Sequence, residues 1–188
     1  LMLMACQGRE ETRQAPETTE TTSETPDAQA EPAASRAKDE PTTSPLSQAR
    51  KDWTPPDFQE KREQRERMVR VVRTYGVTNE DVLKAMRSVP RHEFVPEGME
   101  DQAHRDSPLP IGYGQTISQP FIVAFMTDQL QLDSESRVLE VGTGSGYQAA
   151  VLTEFTPYVY TIEIIGALHK KAAKTFKRLG YDVVASRH

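Results

Sequence analysis

The chain has 188 residues, a formal net charge of −5 and a mean hydropathy of −0.64. Its single cysteine excludes an internal disulfide, and no apolar stretch approaches the ~20 residues that span a bilayer as a helix. Residues 1–60 hold 6 Lys and Arg against 12 Asp and Glu, whereas residues 61–188 hold 17 against 16; this near-neutral remainder gives no electrostatic reason to expect a nucleic-acid partner.

At the N-terminus, Leu3-Met-Ala-Cys6 is a short apolar run with a small residue before cysteine, and the chain then turns abruptly polar. It resembles the end of a bacterial lipoprotein signal, so residues 1–6 are expected to be the remnant of one. That resemblance implies a lipidated Cys6 and a periplasmic protein tethered to a membrane; an incidental cysteine on a cytoplasmic protein is the alternative. Seven of the 13 prolines lie in the first 60 residues, among Glu, Thr, Ser, Ala and Gln, with Trp53 and Phe58 as the only aromatics. Such a stretch buries too little apolar surface to offset its ordering entropy, so residues 7–58 are expected to be a disordered acidic tether.

The globular part, 59–188, is expected to open with a charged helix from about Gln59 to Tyr75, stopped by Gly76, with Met68, Val69, Val72 and Tyr75 on one stripe. Thr78 with Asp81 reads as a capping pair ahead of Val82, Leu83 and Met86, and Pro90 ends that second helix. Together they predict an N-terminal helical subdomain. Asp106 to Gln115 reads as a loop, braced by Pro108 and Pro110 and loosened by Gly112 and Gly114. A helix from about Gln119 to Leu130 is expected to turn Phe121, Ile122, Phe125 and Met126 inward.

Residues 137–163 carry the strongest local pattern. A strand through Val138, Leu139 and Val141 meets Gly142-Thr-Gly144-Ser-Gly146, an amphipathic helix follows, and a second strand, Val159 to Ile162, ends on Glu163. This is a βαβ nucleotide-binding pattern, in which glycines let a ligand approach the backbone at a helix N-terminus. Glu163 lies 19 positions after Gly144, where an acid that holds ribose hydroxyls belongs. The G-x-G-x-G spacing differs from the G-x-G-x-x-G of pyrophosphate binders and points to S-adenosylmethionine, which has no phosphate. Glu140, Gly142, Thr143, Gly144, Gly146 and Glu163 are therefore the candidate cofactor residues, although a tight turn also needs glycines, Glu140 fits a solvated strand end, and Glu163 could cap the next helix. The last helix, about Ala167 to Leu179, is expected to bury Leu168, Ala172 and Phe176 and to leave Lys170, Lys171, Lys174 and Lys177 in water. A strand-like run, Asp182 to Ala185, follows.

Two further segments, Val89-Pro-Arg-His-Glu-Phe-Val-Pro96 and Asp106-Ser-Pro-Leu-Pro-Ile-Gly112-Tyr-Gly114-Gln-Thr116-Ile-Ser118-Gln-Pro120, closely resemble the protein-L-isoaspartate O-methyltransferases, over roughly Arg65 to His188. The resemblance implies a Rossmann-like α/β methyltransferase sheet and methyl transfer from S-adenosylmethionine to the α-carboxylate of L-isoaspartyl residues in damaged proteins and peptides. It also implies that Ser118 places a hydroxyl beside the substrate carboxylate and that Asp106 lies in the same wall. A Gly-Asp-Gly turn and further strands would come after His188 in that family, so the chain is expected to be the N-terminal part of a truncated sheet, inactive alone.

The chemistry asks little of the protein beyond alignment. A carboxylate is ionised near pH 7 and needs no general base, so the site must orient it against the methyl group and exclude water. Thr116-Ile-Ser118, read as the start of a helix, offers hydroxyl and N–H donors for an anion, with a plain N-cap as the alternative for Ser118 and a turn for Asp106. His92, His104, His169 and His188 lack metal-ligand spacing, so no metal is expected, and Arg91-His92 reads as a surface pair. A monomer is expected. Two other readings stay open: a methyltransferase for another carboxylate or small molecule, and a non-catalytic cofactor-binding module.

Overall fold

The computed structural model describes residues 2–6 (backbone only), 50 and 52–188; most of the expected acidic tether, 7–49, lies outside the described residues. In chain order the elements are β1 (Met2–Cys6), α1 (Arg62–Thr74), α2 (Glu80–Ser88), a short 3-10 turn (Arg91–Phe94), β2 (Leu109–Gly112), β3 (Gln115–Ile117), α3 (Pro120–Gln129), β4 (Arg137–Val141), α4 (Tyr147–Thr153), β5 (Val159–Ile162), α5 (Gly166–Leu179) and β6 (Ala185–Arg187). The main sheet runs β1-β4-β5-β6. The last three strands are parallel, with Val138 opposite Val159 and Tyr160 opposite Ala185, and α4 and α5 make the crossovers between them. This is the α/β arrangement that the glycine motif predicts.

The N-terminal helices form because their apolar positions recur on one face. In α1, Met68, Val69 and Val72 are buried; in α2, Val82, Leu83, Ala85 and Met86 are. The expected partner Tyr75 instead lies past the helix end and is exposed. The cap of α2 is Asn79, not Thr78: its side-chain oxygen accepts from the N–H groups of Asp81 (3.1 Å) and Val82 (3.4 Å). Arg65 is buried in α1 and donates to the carbonyls of Phe58, Glu60 and Arg87, tying the incoming chain to both helices.

Several expectations are corrected. The ordered domain begins before residue 59: Trp53 donates its indole N–H to the Gly180 carbonyl, and Trp53 and Phe58 both pack on Tyr181, with ring centroids 6.4 and 6.2 Å away. The two aromatics of an otherwise polar stretch thus anchor its end. Apart from these corrections, Met2–Cys6 pairs antiparallel with β4, Cys6 opposite Arg137 and Met2 opposite Val141. Residues 109–117 are not a loop but an antiparallel hairpin, Leu109 opposite Ile117. Its turn holds Gly112, Tyr113 and Gly114 all at positive φ (95°, 54° and 69°), which explains the flanking glycines. Helix α3 buries Pro120, Val123, Ala124 and Thr127; of the residues expected inward, Ile122 and Phe125 are exposed, whereas Phe121 packs half-buried against the core and Met126 is half-buried. Helix α4 is not amphipathic; every residue from Tyr147 to Thr153 is buried. Helix α5 buries Leu168, Ala172 and Phe176 as expected, whereas β6 lies three residues later than the Asp182–Ala185 run.

Candidate functional site

The glycine loop leaves the C-terminal end of β4 and enters α4. Gly142, Gly144 and Gly146 sit at φ of 95°, 54° and 89°, a conformation that side chains rarely adopt. Gly146 also has no room for one: a Cβ there would meet the Phe176 ring at 2.7 Å. The loop is held by hydrogen bonds from both sides. Gly142 and Thr143 donate to the Ile162 carbonyl at 2.8 and 3.2 Å. Glu163 accepts from Gly144 N–H at 2.8 Å through one carboxylate oxygen and from Ile165 N–H at 2.9 Å through the other. The acid expected on ribose thus also fixes the loop, and each oxygen keeps a lone pair for a further donor.

Glu140 points beneath the loop. It is fully buried, and one oxygen accepts from Thr161 Oγ1 at 2.6 Å, which in turn contacts Thr143 Oγ1 at 2.6 Å. The other oxygen, Oε1, has no hydrogen-bond partner among the described residues. Burial pushes the Glu140 carboxyl up to about 8, against the opposing pull of the Thr161 bond. It is not a solvated strand end.

A cavity of about 310 Å³ joins this loop to the hairpin: Thr116 and Ser118 line it with Glu140, Gly142, Thr143, Gly144 and Glu163. Thr116 lies in β3 rather than at a helix start, and Ser118 sits two residues before Pro120, the first residue of α3. Asp106 is not in the cavity wall. Its two oxygens accept from Phe121 N–H at 2.8 Å and Gln119 Nε2 at 2.7 Å, so it takes the place of a side-chain N-cap for α3. Arg91, read from sequence as a surface residue, is fully buried. It donates to the carbonyls of Ala103 and Ser118, both at 2.7 Å, and lies over the Tyr147 ring at 4.7 Å. Burial lowers its guanidinium to about 10. Arg91 and Asp106 therefore set the Ser118 backbone and the start of α3, a role that no local spacing signalled.

The fit to a cofactor rests on these residues. An unpartnered buried carboxylate oxygen beside a glycine cradle suits a cationic amine, and Glu163 suits paired hydroxyls. Comparison with known proteins identifies the family. The model of the protein-L-isoaspartate(D-aspartate) O-methyltransferase (PCMT) family matches residues 63–188, two thirds of the chain. The chain belongs to this family. A protein-L-isoaspartate O-methyltransferase 2 from Syntrophobacter fumaroxidans is 64% identical over 106 residues, 56% of this chain and 43% of its own length. A solved protein-L-isoaspartate O-methyltransferase superposes with a TM-score of 0.59 at 28% identity, covering 65% of this chain and 41% of that one. A putative member from Plasmodium falciparum, solved with S-adenosyl-L-homocysteine, shares the fold with a TM-score of 0.54 at 22% identity, over 66% of this chain and 62% of its own. The chain spans about half the length of the curated relatives it matches.

Proposed function

We propose that the protein repairs damaged proteins by moving a methyl group from S-adenosylmethionine to the α-carboxylate of L-isoaspartyl residues. The observation that carries this reading is the single cavity shared by the glycine loop with Glu163 and the hairpin end with Thr116 and Ser118. When bound, S-adenosylmethionine supplies an electrophilic methyl. Glu163 would hold the ribose hydroxyls, Glu140 Oε1 the amine, and the 142–146 backbone would pass close beneath the cofactor. Thr116 and Ser118 would orient the substrate carboxylate, which is already ionised near pH 7, so no proton has to be removed. Arg91 and Asp106 act as positioning residues behind Ser118. The isoaspartyl linkage presents a free α-carboxylate that a normal aspartyl peptide lacks, which gives the site its selectivity. The neighbouring backbone amide nitrogen then attacks the ester carbonyl and expels methanol, closing a succinimide that water opens in part to aspartate. The family names of the relatives support the same substrate.

Tritiated methyl transfer by the full-length gene product to paired isoaspartyl and aspartyl peptides at equal concentration tests this. Label should enter only the isoaspartyl peptide. Ser118→Ala should lower turnover about ten- to a hundredfold, the scale of one lost hydrogen bond to a charged group, with cofactor affinity nearly unchanged. Glu163→Ala should weaken cofactor binding first. Equal labelling of the two peptides would favour a methyltransferase acting on another carboxylate.

We further propose that Cys6 is lipidated and holds the enzyme at a periplasmic membrane surface, supported by Leu3-Met-Ala-Cys6 next to a polar stretch. Labelled palmitate should enter the wild-type protein and not Cys6→Ser. Equal label in both would remove the anchor.

A further inference from the structure

At the turn before the first helix, Glu60 meets the adjacent pair His92 and Glu93 from 32 positions away. His92 is only 4% exposed, yet neither imidazole nitrogen has a hydrogen-bond partner among the described residues. Its Nε2 lies 3.6 Å from a Glu93 carboxylate oxygen and 3.8 Å from one of Glu60, and the three atoms fall within 4.8 Å of one another. These separations are too long for hydrogen bonds. They are close to the ~3.4 Å edge between nitrogen and oxygen ligands around a tetrahedral ion with bonds of about 2.0–2.2 Å. A buried imidazole without a partner is costly unless something fills the gap, and two carboxylates turned towards it define the sign of what does.

We propose that His92, Glu60 and Glu93 bind a divalent transition-metal ion of the zinc type, a site independent of the methyl-transfer centre. Imidazole and two carboxylates are a fitting donor set for zinc, and two negative ligands match its charge. The Glu60 side chain is 71% exposed, so the site opens to solvent on that side, from which a water would complete the coordination. The cations around the site are already committed. Lys61 pairs with Asp101 at 3.5 Å, the Arg65 guanidinium serves three carbonyls, and Arg178 holds Glu93 Oε2 at 2.5 Å, leaving Oε1 to face His92. His104, whose ring centroid is 5.6 Å from that of His92, adds a further buried nitrogen, Nε2, that lacks a partner among the described residues. An ion here would clamp the turn before α1 to the 91–94 turn, next to the Arg91 that holds Ser118. The sequence hid the site because Glu60 stands 32 positions before His92.

The test is titration of chelator-stripped protein with Zn²⁺ alone by calorimetry, and with Co²⁺ alone by visible absorbance. The wild type should bind one equivalent with a tetrahedral cobalt spectrum and should melt higher with zinc present. Glu60→Gln, an exposed change that leaves the fold intact by circular dichroism, should weaken binding about tenfold or more, since loss of even an outer-shell partner costs that much. His92→Asn should abolish the cobalt spectrum; should that variant fail to fold, Glu60→Gln alone decides. No saturable binding by the wild type, or undiminished binding by Glu60→Gln, would overturn the site. The second result would move the ion elsewhere, such as the His169–His188 pair, whose ring centroids are 6.1 Å apart.

Discussion

Glu140 concentrates the conflict between folding and binding in one side chain. It is fully buried with one oxygen unpartnered, and burial raises its carboxyl to about 8. The unfolded chain releases that proton near pH 4.3. Between those values the native state holds one proton more, so its stability is fully present below about pH 4.3 and is lost as pH rises through about 8. The slope is at most about 1.4 kcal/mol per pH unit from this group. Glu154, raised to about 7 by burial, adds to the same trend. Above about pH 7, where His92 and His104, both lowered by burial, no longer contribute, thermal melts of unliganded protein up to pH 8.5 should show falling stability. Glu140→Gln should flatten much of that slope, because the amide keeps the neutral shape at every pH. Identical slopes in the two proteins would mean that Glu140 is not the group retaining the proton. A cationic cofactor amine beside Oε1 would favour the ionised form, so the residue that strains the empty fold at high pH is the one that gains most from the ligand.

At the level of elements, the glycine loop works because α5 closes over it. A side chain at Gly146 would meet two Phe176 ring carbons at 2.7 Å and Ala172 Cβ at 3.5 Å, and its φ is 89°. Gly98, at a φ of 84°, has nothing within 4 Å of its virtual Cβ. Both alanine variants carry the backbone cost of about 1–2 kcal/mol, but only Gly146→Ala adds overpacking of about 1–3 kcal/mol. Urea denaturation should therefore find Gly146→Ala the less stable by that second amount; equal losses would show that Phe176 swings away freely. The loop and Glu163 were legible in the sequence because strand, glycines, helix and acid lie within one contiguous βαβ unit. What hid from the sequence was long-range. Arg91 meets Ser118 across 27 positions and Asp106 meets Phe121 across 15, contacts that no periodicity encodes. The face of α3 was misread because size was taken for burial. The core there accepts Val123 and Ala124, small enough to sit against the subdomain, and turns Phe125 outward.

Across the whole molecule, that misread face becomes a surface feature. Tyr75 packs on Phe121 at 5.3 Å between ring centroids, and Phe121 on Phe125 at 6.0 Å, joining the end of α1 to α3. Tyr75 is 59% and Phe125 46% exposed, and Ile122 beside them is exposed too. Scattered apolar residues on a surface need no explanation, but a continuous aromatic ridge does, since contiguous exposed patches favour association. The monomer expected from the sequence is thus in tension with the ridge. Sedimentation velocity over a concentration series should show residues 1–188 associating, with hydrophobic-dye fluorescence to match. Tyr75→Ser with Phe125→Ser should suppress both while shifting stability little, because exposed positions usually contribute within about 0.5 kcal/mol each. A wild type that sediments as a monomer at every concentration would leave the ridge without consequence. Association that survives the double change would place the contact at the strand ends instead, where Val141 and Ile162 are register partners and both exposed.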